Sequence, residues 1–468
     1  MKNTKKTSLL FIAVTLMVVM LTTISSCRKE RVFTDGSAKL EFSTDTVVFD
    51  TVFSTIGSTY RRFTVRNPYN KKIIISSVRL KGGTASPYRM NVDGLPGVDI
   101  RDVEILAKDS IFIFVEVTVD PNNALAPFVV EDQILFTTNG NEQFVQLAAW
   151  GQNAYFHYEA DGLLVICNET WMNDKPHVLY GVTAIDSACT LDILAGAKIY
   201  GHNNALLYNY KGTLNINGVE GDEVIFQGDR LEAFYQDVPG QWFGVRMFQP
   251  LESTIEHAII KNGEVGIWID TVEGGQKVNL NYVASGNHGF ASLLAQGTRI
   301  EAENCLFYDG GSHTALLNVG GDYNFNHCTF SNYWTTSTRT TTALKINNFF
   351  VSNNTVFHRP IVQATFNNCI VYGDKDNEIL IDTLETTTPN YIFNQCVIKS
   401  DQSTNNGHYP AIRKNQDPRF ADPSTFDYHL TAGSSAINYG GFPAPTNGND
   451  LDGVMRIAPN DVGCYEVQ

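Results

Sequence analysis

Residues Ile300–Phe307 read IEAENCLF, and the same arrangement returns three more times along the chain. In each copy an apolar residue is followed by two polar residues and then by Cys. The other copies are Tyr323–Phe330 (YNFNHCTF), Ala364–Val371 (ATFNNCIV) and Asn390–Val397 (NYIFNQCV). Looser copies put Ala258, Val283 and Phe349 at the Cys position, so that successive copies lie 20 to 27 residues apart. A repeat of this length is typical of one coil of a right-handed parallel β-helix.

The pattern within each copy predicts a bend between two strands. In a straight strand Ala302 and Cys305 would point to opposite faces, but a two-residue bend turns both inward. The residue before the Cys position then needs a left-handed backbone, which Asn tolerates. This position is predicted at Asn304, Asn348 and Asn368, with His257, Tyr282, His327 and Gln395 as the substitutions. A second row of turns, four residues after the Cys position, is predicted at Asn262, Asn287, Asn332 and Asn353.

Strand-like stretches of the same kind begin near Cys189–Tyr200 and Gly212–Gly218. We therefore predict a right-handed parallel β-helix over residues 154–440 and a C-terminal cap over residues 441–468. Before it, residues 37–153 alternate short apolar-patterned stretches with turns such as Asn67-Pro68-Tyr69-Asn70. About seven strands in this length predict an Ig-like β-sandwich. The fold class expected is thus all-β.

The first 26 residues predict a lipoprotein signal peptide. Lys2, Lys5 and Lys6 precede an apolar run over Leu9–Leu21, which is shorter than a membrane-spanning helix needs. Ile24-Ser25-Ser26-Cys27 then resembles the bacterial lipobox, in which Cys27 becomes the acylated first residue. Residues 27–36 would form the linker that follows. Acyl chains on Cys27 would hold the mature chain on a membrane.

Composition and charge exclude two classes of protein. Hydrophobic residues make up 43% and charged residues 18% of the sequence, which is too apolar for a disordered chain. The net charge of −15 becomes −18 once the three lysines of the signal are removed. A nucleic-acid partner is therefore not expected, because phosphate contacts need a basic surface.

The mature chain resembles a Bacteroidota surface lipoprotein family with an N-terminal Ig-like module and a right-handed parallel β-helix. The segments that carry the resemblance are Gly228–Glu232 with Pro239–Val245, and the closing motif over Leu430–Asn438, Asp450–Arg456 and Asp461–Glu466. The charged stretch Arg28–Arg31 is similar to the export signal of such lipoproteins, although only Glu30 is acidic. The resemblance implies the outer membrane and the cell surface, with the periplasmic face left open.

Seven cysteines remain after Cys27. Cys305 and Cys328, like Cys369 and Cys396, are predicted on adjacent coils, within reach of a disulfide. Parallel stacking favours buried free thiols instead. His257 and His327 lie too many coils apart for a zinc site, and the acids near Asp450 miss the spacing of a calcium loop. No metal and no cofactor are predicted.

One cluster combines acidic, basic and aromatic residues: Asp229, Arg230, Glu232, Tyr235, Asp237 and Trp242. It would bind a sugar if Trp242 offered a stacking face. The competing interpretation is a structural loop held by Arg–Asp pairs, with Trp242 tucked against a coil. No catalytic residues are predicted, because the repeat register places no second basic or acidic group on this cluster, and general acid–base cleavage needs two positioned groups.

The sequence therefore favours a non-catalytic, lipid-anchored protein that serves as an interaction scaffold for outer-membrane proteins, in an assembly or transport complex. The alternative is a polysaccharide-binding protein, lyase or hydrolase built on a β-helix. A groove lined by convergent carboxylates would favour the alternative, and an aromatic-rich flank would favour the scaffold.

Lipidation of Cys27 is the first testable prediction. Metabolic labelling with an alkyne fatty acid should tag the wild-type chain and should leave Cys27→Ala unlabelled, because the thiol is the acylation site. Equal labelling of the two proteins would contradict the prediction.

Overall fold

The computed structural model describes residues 31–53, 58, 60–120, 128–272, 274–353, 355–384, 389–441 and 448–467. The predicted signal peptide, Cys27 and the start of the linker lie outside these ranges. The protein is all-β and divides into two compact units, one ending at Asn153 and the other beginning at Ala154. In the described residues the only helical segments are short 3-10 turns at Gly83–Ala85, Ala233–Tyr235 and Pro423–Thr425.

Among the residues that the structure describes, the N-terminal unit holds ten strands. They are β1 Glu41–Phe42, β2 Thr46–Phe53, β3 Arg61–Arg66, β4 Ile73–Leu80, β5 Tyr88–Val92, β6 Leu95–Gly97, β7 Asp99–Ile105, β8 Ser110–Val117, β9 Phe128–Thr138 and β10 Asn141–Gln152. One sheet has the order β1-β3-β8-β5-β6 and the other the order β2-β10-β9-β4-β7. All neighbours are antiparallel except β2 and β10, which run parallel.

Alternating side chains of both sheets share one core, which includes Phe49, Phe63 and Phe136. The ten strands exceed the predicted number of about seven. In the Asn-Pro turn the side chain of Asn67 is buried. Its amide donates to the carbonyls of Lys71, Ile105 and Leu106 and accepts from the Tyr69 N–H. This one side chain therefore satisfies backbone groups of two chain segments that would otherwise be unpaired.

The C-terminal unit holds the remaining strands. They are β11 Tyr155–His157, β12 Leu163–Ile166, β13 Glu169–Trp171, β14 His177–Leu179, β15 Val182–Ile185, β16 Thr190–Leu194, β17 Lys198–Gly201, β18 Leu206–Tyr210, β19 Thr213–Asn217, β20 Val224–Gly228, β21 Trp242–Phe248, β22 Ser253–Lys261, β23 Gly263–Asp270, β24 Val278–His288, β25 Ala291–Glu303, β26 Leu306–Gly310, β27 His313–Asn326, β28 Thr329–Asn332, β29 Leu344–Asn347, β30 Phe349–Ser352, β31 Thr355–His358, β32 Ile361–Asn367, β33 Ile370–Gly373, β34 Ile379–Asp382, β35 Tyr391–Asn394, β36 Val397–Ile398, β37 Arg413–Lys414, β38 Phe420–Asp422 and β39 Asp427–Leu430.

Twenty-five of these strands, from β11 to β37 without the pair β30–β31, form one continuous parallel sheet. Each strand pairs with the strand one coil further on: Ile185 lies beside Asn209, and Ala258 beside Val283. The last parallel strand ends at Lys414, short of the predicted boundary at residue 440. Beyond it, β38 and β39 pair antiparallel.

The predicted bends are confirmed at six of seven positions. The residue before the Cys position has a positive φ at His257 (45°), Tyr282 (54°), Asn304 (52°), His327 (50°), Asn368 (52°) and Gln395 (51°). In the second row, the predicted turns at Asn262 (63°) and Asn287 (55°) are present and left-handed, and Asp309 (41°), which the sequence analysis passed over, occupies the equivalent turn. The predicted turn at Asn332 was wrong, because this residue ends strand β28 and has no positive φ. Asn353 is left-handed too, but in a hairpin turn outside the parallel sheet.

The seventh predicted bend, at Asn348, was wrong. Phe349 begins the antiparallel hairpin β30–β31, and Asn348 does not adopt the left-handed backbone. The coil after Cys328 instead continues at Cys369, since Asn326 pairs with Asn367 and Thr329 with Ile370. The even spacing of the repeat concealed two insertions, one between β28 and β29 and one, the hairpin, between β29 and β32, whose combined length is nearly that of one coil.

The Cys position forms a buried column of free thiols, Cys305, Cys328, Cys369 and Cys396. Each thiol donates to the carbonyl two residues earlier in its own bend: Glu303, Asn326, Asn367 and Asn394 respectively. Burial raises the pKa of the Cys305 and Cys369 thiols, so both are protonated donors. Cys combines small size with a donor, which explains its recurrence here.

A disulfide joins Cys167 and Cys189, with Cα atoms 4.9 Å apart, on adjacent coils at the start of the unit. It was not predicted from the sequence. The pairs considered there, Cys305 with Cys328 and Cys369 with Cys396, are free thiols.

The C-terminal segment lies along the row of bends. The Gly441 N–H donates to the Asn368 side chain (2.8 Å), Arg456 donates to the Asn304 side chain (2.7 Å), and Gln395 donates to the Tyr439 carbonyl (3.3 Å). The bend residues therefore anchor this segment rather than bonding only to one another. Asp450 and Asp461 accept backbone N–H groups of this segment, and Arg456 pairs with Glu466.

The coil register generates a stability prediction at Cys328, which lies between Cys305 and Cys369. Cys328→Asp should lower the free energy of unfolding by about 3 kcal/mol, because it buries a carboxyl group with no cationic partner. Cys328→Ser, which keeps a donor of similar size, is the matched control and should lose less. Urea unfolding followed by fluorescence would measure both, and equal stability of the Asp variant and the wild type would contradict the register.

Candidate functional site

The predicted cluster lies on a loop that leaves the coil after β20 and returns at β21. The loop, Asp229–Gln241, is held by the second row of turns: Asn262 donates to the Gln236 carbonyl (2.7 Å) and Asn287 to the Asp237 carbonyl (2.9 Å). The Gln241 side chain closes it from within, by donating to the Tyr235 and Val238 carbonyls. The loop is thus a fixed structure on the side of the coil.

Arg230 is paired inside this loop. Its guanidinium forms an ion pair with Glu232 (3.1 Å) and lies over the Tyr235 ring, 3.8 Å from the centroid. The partner is therefore a glutamate, and the expected Arg–Asp pair does not form at Arg230. These three side chains satisfy one another and stabilise the loop.

Asp229 faces a residue that the sequence analysis missed. Its carboxylate lies 2.6 Å from Nδ1 of His202, and this hydrogen bond raises the pKa of His202. The Tyr180 ring stacks on His202 at 4.4 Å. The coil register would have located the pair, because Gly201 and Gly228, the residues before them, lie side by side on neighbouring coils.

Trp242 is a core residue. Its side chain is only 1% exposed, its Nε1 donates to the Lys261 carbonyl (3.0 Å), and its ring lies parallel to that of Phe226. An indole with both faces covered offers no surface to a sugar, so the predicted stacking role is wrong and the competing interpretation applies to this residue.

The six predicted residues do not converge on one site. Arg230 and Tyr235 line a small cleft of about 260 Å³ beside the loop, together with Gln241 and Lys261. Asp237 lines a different cleft on the other side of the loop. Asp229 pairs with His202, and Trp242 lies in the core, so no carboxylate pair is assembled at the predicted cluster.

The exposed hairpin β30–β31 is a second candidate that the sequence analysis missed. Phe350 and Phe357 stack at 4.7 Å, and with Val351 and Val356 they are 43 to 59% exposed. Two runs of apolar and β-branched residues, FFVS and TVFH, flank Asn353-Asn354, and such a spacing is typical of a hairpin. The sequence therefore contains a hairpin pattern here, although the spacing of the repeat predicts a coil at the same residues.

Within the described ranges, no group of three or more His, Cys, Asp or Glu side chains is arranged to hold a metal ion. No helix in the same ranges is long and apolar enough to cross a membrane. The absence of a cofactor remains a prediction.

Stability measurements can distinguish the two interpretations of Trp242, a sugar-stacking platform or a core residue. Trp242→Ala should lower the free energy of unfolding by about 3–5 kcal/mol, because it leaves a large cavity in the core. The control is Phe234→Ala in the same loop, whose side chain is 78% exposed and should contribute little. Thermal unfolding of both variants would measure this, and a Trp242→Ala protein as stable as the control would refute the core assignment.

No family model matches the chain, and no curated protein matches its sequence. Among solved structures, a family 123 glycoside hydrolase from Clostridium perfringens is similar over 24% of this chain and 25% of its own, at 8% identity and a TM-score of 0.17. A PapD-like ASH domain of human CEP192 is similar over 28% of this chain and 94% of its own, at 12% identity and a TM-score of 0.18. Likenesses this weak carry no argument about fold or function.

Proposed function

We propose that this chain is an exported lipoprotein, anchored through Cys27 to the outer membrane and exposed at the cell surface, that acts as a non-catalytic interaction scaffold. Its partners would be outer-membrane proteins, in an assembly or transport complex. The observation that carries the proposal is the apolar hairpin β30–β31 on an otherwise regular coil.

Export is supported by two independent features. The lipobox at Ile24–Cys27 follows an h-region of suitable length. The disulfide between Cys167 and Cys189 fits an oxidising compartment, because such bonds are rare in a reducing cytosol.

We also infer the finer architecture: an Ig-like sandwich over the N-terminal unit and a right-handed parallel β-helix over the C-terminal unit. Two five-stranded sheets around one core support the first assignment. Coil-to-coil parallel pairing with a left-handed bend in successive coils supports the second. Both are rigid frameworks, on which an interaction element would be held in place.

The hairpin has the properties of a protein-binding element. A two-stranded hairpin is marginally stable alone, and this one exposes Phe350, Val351, Val356 and Phe357 to solvent. Burying these side chains against a partner would remove apolar surface from water, and the hairpin forms a separate two-stranded sheet whose outer edges can accept a further strand. The partner expected is a protein with an apolar surface beside a free strand edge.

The enzymatic alternative, a polysaccharide lyase or hydrolase at Asp229–Trp242, has less support. Arg230 and Glu232 neutralise each other, and Trp242 is covered. Glycoside cleavage needs two carboxylates on either side of the scissile bond. The loop brings no such pair together.

The hairpin can be tested in cells by affinity purification in mild detergent with quantitative mass spectrometry. The double variant Phe350→Ser/Phe357→Ser should recover its outer-membrane partners about tenfold less than wild type, because aromatic anchors dominate such interfaces. Phe234→Ser, at a still more exposed aromatic residue in the loop Asp229–Gln241, is the control and should recover them fully. Unchanged recovery by the double variant would reject the hairpin as the contact.

A further inference from the structure

A cleft of about 530 Å³ lies on the side of the coil, beside the loop Asp229–Gln241, and Asp237 is the one residue of the predicted cluster that lines it. It is bounded by that loop, by the segment after β28 and by the 3-10 turn before β39. The residues that matter for its chemistry are Asp237, Lys261, Asp309, Trp334, Thr336 and Phe426.

The floor of this cleft is the second row of left-handed turns. Asn287 donates to the Asp237 carbonyl (2.9 Å) and to the Asn262 side chain (2.9 Å). One coil further on, Asp309 accepts from the Tyr333 N–H (2.6 Å) and from the Tyr428 hydroxyl (2.7 Å). The same row of residues therefore fixes all three walls, and the cleft is formed before any ligand arrives.

Asp309 replaces the asparagine found at the equivalent turns. It is 2% exposed, and burial raises its pKa to about 6. Above that pH it adds a negative charge to the floor. Its two hydrogen bonds explain why a carboxylate is tolerated there, since both oxygens have a donor.

Two charged groups on the walls are uncommitted. Within the described residues, the Asp237 carboxylate and the Lys261 ammonium group form no ion pair and no side-chain hydrogen bond. The exposed hydroxyl groups of Thr335, Thr336 and Ser424 lie around the rim. Phe426 and Trp334 add aromatic surface to a lining that is otherwise polar.

We propose that this cleft binds a neutral oligosaccharide. Many short polar groups of both donor and acceptor type, beside a limited aromatic surface, match a ligand that is rich in hydroxyl groups. Asp237 and Asp309 repel polyanions, and the polar walls disfavour an apolar ligand. The size of the cleft falls within the range of small-molecule sites. The cleft binds this ligand independently of the hairpin, so the two sites can be tested separately.

The test is isothermal titration calorimetry of the purified mature chain against neutral hexasaccharides of glucose (α- and β-linked), xylose, mannose and galactose. Oligogalacturonate and oligochitosan, which are charged, are measured in parallel. At least one neutral sugar should bind. Asp237→Asn and Lys261→Gln should each weaken that binding about tenfold, because each loses a charged hydrogen-bonding partner.

Two further variants locate the binding. Thr336→Trp, at the exposed rim, should fill the cleft and abolish binding without altering the melting temperature. Asp401→Asn, an exposed acid elsewhere on the unit, is the matched control and should bind as wild type does. Binding of only the charged sugars, binding of none, or binding that persists in Thr336→Trp would each overturn the proposal.

Discussion

The register of the parallel sheet constrains everything else in the C-terminal unit. Each strand forms its backbone hydrogen bonds with the strands of the coils before and after it, so equivalent residues of successive coils stack at the strand spacing of about 4.8 Å. A residue type that suits one coil therefore suits the next. The column Cys305, Cys328, Cys369 and Cys396 is the direct consequence, and each of its thiols donates to a carbonyl of its own bend.

The same register lines up the bends, and the bends connect the coil to chain segments outside it. The first row, which includes Asn304, Asn368 and Gln395, anchors the C-terminal segment. The second row, Asn262, Asn287 and Asp309, anchors the loop after β20 and the segment after β28. A residue chosen for its left-handed backbone thus has a second use, because its amide or carboxylate points out of the coil toward backbone groups that need partners.

The two candidate functional sites lie where the chain departs from the regular coil-to-coil pairing of the parallel sheet. The loop Asp229–Gln241 and the hairpin β30–β31 both interrupt the coil, and neither has to satisfy the stacking of equivalent residues. The loop and its neighbours enclose a polar cleft, whereas the hairpin exposes apolar side chains. A rigid scaffold that carries irregular insertions is a common arrangement in binding proteins, because the scaffold fixes the position of the insertion and leaves its side chains free.

The sequence by itself determined the all-β class, the six left-handed bends from His257 to Gln395 and the inward position of the cysteines, because these follow from local pattern and residue conformation. It misplaced Phe349 and Asn348, since counting residues cannot distinguish a coil from two insertions of similar total length. Only the tertiary structure decided which cysteines pair, that Trp242 is covered, and that Asp229 meets His202. The contacts of these residues join positions 19 to 27 residues apart in the sequence. They form only when the coils stack in one register, which no local segment specifies.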